Sequence, residues 1–144
     1  MNRFREIESG ANDRQILESF YEHLYVPEFP DRDERESLEN IQRYLALKSQ
    51  GWYGKNNYHV VVAHAESGAT AGSISDFLAE PNAGVIEFLV VGREARAGGI
   101  GKLLLDRTER QLAEDARGLG RELDYIIAEM NDPFRPSQDR KSVV

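Results

Sequence analysis

The sequence contains no cysteine. That excludes disulfides and every form of thiolate chemistry, and it fits a cytoplasmic protein. No apolar run comes near the roughly 18 residues that a membrane helix requires, and the N-terminal residues do not read as a signal peptide, so no membrane partner is expected. Positive charge is in short supply. Lysine and arginine number 18 against 25 aspartates and glutamates, for a net charge of −7. A nucleic-acid partner would call for a basic face, so this balance argues against one. Only three histidines occur, His23, His59 and His64. They show no metal-ligand spacing, so no metal is expected and each reads as a surface or structural residue. Repeats, low-complexity tracts and interdomain linkers are also missing. A hydrophobic content of 40% and a charged content of 30% over 144 residues describe one soluble globular domain with a single core.

The order of apolar patterns is mixed α/β. Residues 3–8 read as a short strand. Asn12 or Asp13 then caps a helix with Ile16, Leu17, Phe20, Tyr21 and Leu24 on its apolar face. Two prolines within residues 26–33 break it. A second helix buries Leu38, Ile41, Tyr44 and Leu45. Residues 58–65 and 69–78 form a hairpin through Glu66-Ser67-Gly68, and a turn at residues 81–84 leads into an apolar strand over 85–91. A long amphipathic helix covers 102–117, and a last clear strand covers 122–130. Beyond it, Pro133 and Pro136 prevent a regular helix, so residues 132–144 are expected to be an irregular tail after a domain of residues 1–131.

The most informative stretch is Arg96-Ala97-Gly98-Gly99-Ile100-Gly101-Lys102, between the 85–91 strand and the long helix. The first N–H groups of a helix lack intrahelical partners, and the helix dipole adds partial positive charge there. Glycines admit a phosphate close to the backbone, and Arg96 and Lys102 add charge suited to a diphosphate. A P-loop does not fit, because position 96 is arginine and position 103 is leucine. A dinucleotide fingerprint fits only through Gly99-Ile100-Gly101, since its third glycine position is Leu104. A glycine-rich turn with no ligand is the bland alternative.

The third pattern, R-x-x-G-x-G, is matched by Arg96, Gly99 and Gly101. Together with Val91 five residues earlier, Ile100 between the glycines and Leu103-Leu104-Leu105 after them, it resembles the pyrophosphate loop of the GNAT superfamily of acyl-CoA-dependent N-acetyltransferases. The resemblance is strong over residues 84–131 and rests on element order before that. It implies an α/β fold with a mixed sheet of antiparallel hairpins and a parallel pair, residues 85–91 and 122–130, that splays apart. It further implies acetyl-CoA as cosubstrate, with pantetheine held by the backbone of Leu89, Val90 and Val91 and by Asn131. The pyrophosphate would lie in the cradle formed by Arg96, Ala97, Gly98, Gly99, Ile100, Gly101 and Lys102.

Direct acetyl transfer to an amine needs a base, and Glu87 is the candidate. It lies four residues before Val91, where several family members place a glutamate that deprotonates the amine through water. A carboxylate inside an apolar strand is costly to bury without a reason, and desolvation would raise its pKa into a useful range. Strand alternation places Glu87, Leu89 and Val91 on one face. The plain alternative is a solvent-facing or ion-paired structural glutamate. Glu129 is a lesser candidate, more readily a salt-bridge partner. Trp52, Tyr53 and Tyr58 could line an acceptor pocket or simply pack. The acidic, aromatic segment 21–36 occupies the family's most variable acceptor-binding region.

The chain departs from the family at its end. The seventh residue after Asn131 is Gln138, where many members carry a tyrosine that protonates the leaving thiolate, and no tyrosine follows Tyr125. The usual closing strands are also missing from the pattern. The fold is therefore expected to stop after its fifth strand, with closure supplied by further chain or by a second copy in a homodimer. The expected activity is acetylation of a primary amine on a small molecule or a larger acceptor. A non-catalytic acyl-CoA-binding module is the alternative, and a nicotinamide-dependent oxidoreductase survives only on the dinucleotide reading.

Overall fold

The computed structural model describes residues 3–131 and 140–143, with side chains as far as residue 128. Elements follow in the order β1 (Arg3–Glu6), α1 (Ala11–Phe20), a π-helical segment (Tyr21–Tyr25), α2 (Val26–Glu28), a 3-10 turn (Arg32–Glu34), α3 (Leu38–Ser49), β2 (Asn57–Ala65), β3 (Gly68–Leu78), β4 (Ala83–Val91), a second 3-10 turn (Arg93–Gly98), α4 (Ile100–Gly118), β5 (Tyr125–Asn131) and β6 (Arg140–Val143). The strands lie in sequence order in one sheet. Every neighbouring pair is antiparallel except β4 and β5, which run parallel with α4 as the crossover. This is the α/β, GNAT-like architecture expected from the sequence.

Both faces of the sheet are covered, so β2, paired on both sides, is apolar in both directions. Tyr58, Val60 and Val62 of β2 face α1 and α3, where they meet Leu17, Phe20, Tyr25, Ile41 and Leu45. Val61 and Ala63 face α4 and pack with Ile100 and Leu104. Farther along α4, Leu112 and Ala116 close over Phe77 and Ile86. The α1 helix lies so close to β3 that Gly72 has no room for a Cβ against the Phe20 ring.

Four local expectations need correction. The N-cap of α1 is Gly10, not Asn12 or Asp13. The Asp13 carboxylate is buried and accepts hydrogen bonds from the Arg5 Nε and the Glu8 backbone N–H, so it ties the helix to β1. The helix also outlasts its expected break and runs through the π-helical turn to Glu28. A widened turn just before Pro27 relieves the clash between a proline ring and the carbonyl four residues back. Next, β5 begins at Tyr125, because Glu122 and Asp124 are engaged with Asn82 in the turn that sets the start of the parallel pair. Last, the tail is not irregular throughout: Arg140–Val143 returns as β6 and pairs with Ala128–Asn131, using backbone groups that β5 would otherwise leave open.

Candidate functional site

The parallel pairing of β4 and β5 covers only four residue pairs, from Ala83–Tyr125 to Ile86–Ala128. Past Ile86, β4 continues to Val91 with no partner on that side among the described residues, while the end of β5 pairs with β6. The splay expected for residues 85–91 and 122–130 is therefore present. Leu89, Val90 and Val91 lie in the unpaired stretch. Their side chains are occupied in packing, Leu89 and Val91 toward α4 and Val90 toward α1, so what they can offer a ligand is backbone.

The glycine loop follows directly. Arg93–Gly98 forms the 3-10 turn, and Gly99 (φ 76°) reverses the chain into α4 in the left-handed conformation that favours glycine. No side chain caps α4, and no acidic residue lies in its first turn. A Cβ at Gly98 or Gly99 would meet nothing within 4 Å, whereas one at Gly101 would sit 3.2 Å from Val91 Cγ2. The loop thus leaves open space at the positive end of a 19-residue helix, where an anion can approach the backbone.

The side chains divide the work. Ile100 is buried between β2 and α4, so only its backbone is free for the loop. Ala97 is exposed. Arg96 is turned back: its Nε donates to the Val91 carbonyl at 3.1 Å, and its guanidinium pairs with Glu28 at 3.3 Å. It braces the loop against both β4 and α2. Lys102 is exposed and paired only with Asp106, at 3.5 Å. Beside this brace, on the α1 side, lies a cavity of about 410 Å³ lined by His23, Leu24, Thr70 and residues 90–96. Asn131 ends β5, but its side chain and that of Glu129 lie outside the described residues.

Glu87 sits at a β-bulge. In the β3–β4 ladder Ile74 faces Phe88 and Ser75 faces Ile86, so Glu87 is the extra residue with no partner in β3. The bulge overturns the expectation that Glu87 shares a face with Leu89 and Val91. Those two pack toward α4, while Glu87 lies on the opposite face, near Tyr25, Tyr53, Tyr58, Asp76 and Glu36. There, burial first and then the adjacent Asp76 and Glu36 carboxylates push its carboxyl up to about 9. Tyr53 and Tyr58 stack nearly parallel with ring centroids 5.9 Å apart. Burial pushes Tyr53 up to about 12 and raises Tyr25 and Tyr58 as well, so all three phenols keep their protons. Trp52 is two-thirds exposed and meets Tyr53 edge-on.

The sequence reading missed Asp76 and Glu36 as neighbours of Glu87. The only trace of Asp76 was a carboxylate within the apolar 74–78 stretch. Glu36 is set by two tyrosines of the π-helical segment. The Tyr21 hydroxyl donates to the Glu36 carbonyl, and the Tyr25 hydroxyl accepts from its N–H. His59 is structural, as expected, but far from unpartnered: its ring nitrogens lie 2.7 Å from Glu6 and 2.6 Å from Asp115. No metal-binding cluster and no helix suited to crossing a membrane occur among the described residues.

Comparison with known proteins agrees with this geometry. No protein of curated function matches the sequence. Among solved structures, an aminoglycoside acetyltransferase from an uncultured soil metagenomic sample, in complex with sisomicin, superposes with a TM-score of 0.65 at 19% identity, over 91% of this chain and 78% of that one. The ribosomal-protein-S18-alanine N-acetyltransferase of Escherichia coli matches with a TM-score of 0.59 at 13% identity, over 93% of this chain and 70% of that one. The N-acetylglutamate synthase of Neisseria gonorrhoeae, complexed with coenzyme A and N-acetyl-glutamate, matches with a TM-score of 0.55 at 16% identity, over 92% of this chain and 26% of that one. These likenesses establish the fold. The sequence profile of the acetyltransferase (GNAT) family matches residues 17–134, and the chain belongs to that family of acetyl-CoA-dependent acetyltransferases.

Proposed function

We propose that the protein is an N-acetyltransferase that transfers the acetyl group of acetyl-CoA directly to a primary amine, with Glu87 as the base. The observation that carries this reading is the place of Glu87 at the bulge, where a carboxyl without an ion-pair partner among the described residues faces the tyrosines beside the splayed end of β4. Acetyl-CoA supplies the activated thioester. The backbone of Leu89, Val90 and Val91 holds its pantetheine arm, with Asn131 as a further contact. The N–H groups of Gly98, Gly99, Ile100, Gly101 and Lys102 hold its pyrophosphate, with Ala97 in the same turn and Arg96 keeping the loop in shape.

An amine is a nucleophile only without its extra proton, and at neutral pH it arrives as ammonium. Glu87 takes that proton, directly or through a water, once its own carboxyl has ionised. Asp76 and Glu36 make the same face negative, which favours a cationic acceptor. The Tyr21–Glu36 region, with its π-helical turn, is where acceptor choice is set. The structural relatives are named for an aminoglycoside, for an alanine of ribosomal protein S18 and for N-acetylglutamate, and these three classes suggest the acceptors to try.

One observation supports a second reading, a non-catalytic acyl-CoA-binding module: position 138 is glutamine, so the tyrosine that many family members carry at that place has no counterpart there. Release of free thiol from acetyl-CoA separates the two. Sisomicin, a diamine, glutamate and a peptide with N-terminal alanine form the acceptor panel. Turnover with at least one amine, lost in Glu87→Gln, is the expected result. Saturable CoA binding with no thiol release from any amine would favour the binding module. The same proposal includes a cytoplasmic enzyme, consistent with the absence of cysteine, and pairing of two copies, which light scattering tests as a mass of about twice the 16.3 kDa chain.

A further inference from the structure

We propose that Asp76 is a positioning residue for Glu87: the two carboxyls share a single proton across the β3–β4 bulge, which fixes the Glu87 carboxyl and delays its ionisation. The inference rests on Glu87 being the base, and it assigns work to a residue that the family pattern does not reach. Three features of the structure lead to it.

The first is register. Asp76 pairs with Val85 on β4 and with Tyr58 on β2, so its side chain shares the α3-facing side of the sheet with Tyr58. Glu87 stands two residues beyond Val85, so strand alternation puts it on that same side, and the bulge that follows leaves it without a β3 partner of its own. Its carboxyl lies within hydrogen-bonding reach of the Asp76 carboxyl. Two carboxylates cannot hydrogen-bond to each other, whereas a carboxylate and a carboxylic acid can, so this contact requires one proton between them.

The second is the lack of a competing cation. Among the described residues, neither Asp76 nor Glu87 takes part in an ion pair. The groups that face Glu87 are Asp76 from β3, Glu36 from the turn before α3, Tyr25 from the π-helical segment, Tyr53 from the turn after α3 and Tyr58 from β2. None is positive. Lys48, the cation of α3 that reaches the sheet, is occupied by Glu6 and the Tyr58 carbonyl. The third is the half-buried place of Glu87 near the stacked Tyr53 and Tyr58, where lost hydration shifts it in the same direction as its acidic neighbours.

The consequence concerns timing. While the proton is shared, the pair carries one negative charge and attracts an ammonium group. After that proton leaves for solvent, Glu87 is a carboxylate, and it becomes a carboxylic acid again when it takes a proton from R–NH3⁺ to leave R–NH2. The Asp76 charge makes this base stronger than an isolated glutamate.

Carboxyl ¹³C NMR titration of the free protein tests the idea without any acceptor. In the parent one glutamate carboxyl, identified by its loss in Glu87→Gln, should titrate near pH 9. In Asp76→Asn the same resonance should titrate at least one pH unit lower. Asp76→Ser, smaller and equally neutral, covers the case in which the asparagine variant fails to fold. With acetyl-CoA and the best amine of the panel, the acid limb of kcat/KM should move by the same amount. A Glu87 resonance that titrates at the same pH in parent and Asp76 variants overturns the inference and leaves the base role intact. A Glu87→Gln variant with parental turnover overturns the base role itself, whatever the titration shows.

Discussion

A half-buried carboxylic acid set among tyrosines has lost much of the water that would stabilise its anion, and two nearby carboxylates remove more of that stability. Glu87 is in this position, held near pH 9 by burial, Asp76 and Glu36. As a base it is strong but scarce at neutral pH. Turnover should therefore climb with pH through the range where it ionises. Replacing it with glutamine removes proton abstraction and leaves the cofactor loop untouched, so turnover should fall by about 10²- to 10⁴-fold while CoA affinity stays within about twofold. Steady-state rates and CoA titration on the same preparation check both halves. Glu87 was legible in the sequence because an acid inside an apolar strand is conspicuous. The direction it faces was not, because a bulge depends on how β3 and β4 register, and alternation along one strand carries no such information. His59 shows the same limit, with partners 53 and 56 positions away.

At the scale of elements, the loop and α4 were the most legible part of the chain. Ile100, Leu104, Thr108, Leu112 and Ala116 recur at helical spacing and are all buried against the sheet, so the helix and its buried face follow from one periodic pattern. The splay also follows, because it belongs to the family that the loop motif identifies. By contrast β6 was not legible: residues 140–143 carry little apolar pattern, and their strand forms through backbone pairing with β5. The loop yields a clean probe. Gly99 is left-handed and its missing Cβ faces open space, whereas a side chain at Gly101 would press on Val91 and mix binding with packing. Gly99→Val should cost about 1–2 kcal/mol of stability from the strained backbone. Its side chain would also stand in the open space where the pyrophosphate is proposed to lie, so CoA affinity should drop by about tenfold or more, equivalent to about 1.4 kcal/mol or above. Calorimetric CoA titration beside Gly118→Ala, an open glycine at the far end of α4, checks it. Parental affinity in Gly99→Val would move the pyrophosphate away from this loop.

At the scale of the molecule, three shifted groups set how stability depends on pH, and they pull in different ranges. Burial alone would raise Glu6, but the hydrogen bond and charge of His59, with Lys48 adding to them, bring it down to about 2 from 4.5. The folded state then binds fewer protons than the unfolded one between those values, so stability is lost as pH falls from 4.5 toward 2. For His59, burial would lower the pKa, but the hydrogen bonds to Asp115 and Glu6 raise it to about 9 from 6.5. Its contribution is complete below 6.5 and is lost as pH rises to 9. Glu87 is raised from 4.5 to about 9, so the folded state holds a proton that the unfolded state has released, and stability declines across that whole range. Together these shifts place maximal stability near pH 4.5, with a decline above it that steepens beyond 6.5, where two groups act at once. Thermal unfolding from pH 3 to 9.5 should therefore peak in mild acid. In Glu87→Gln the curve should flatten between 4.5 and 6.5, since glutamine has no proton to lose. In His59→Gln the steep part above 6.5 should soften, and the protein should lose about 3–5 kcal/mol at pH 6 because Glu6 and Asp115 no longer share a buried cation. A parent melting curve that rises steadily from pH 5 to 9 would contradict the protonation assigned to both groups.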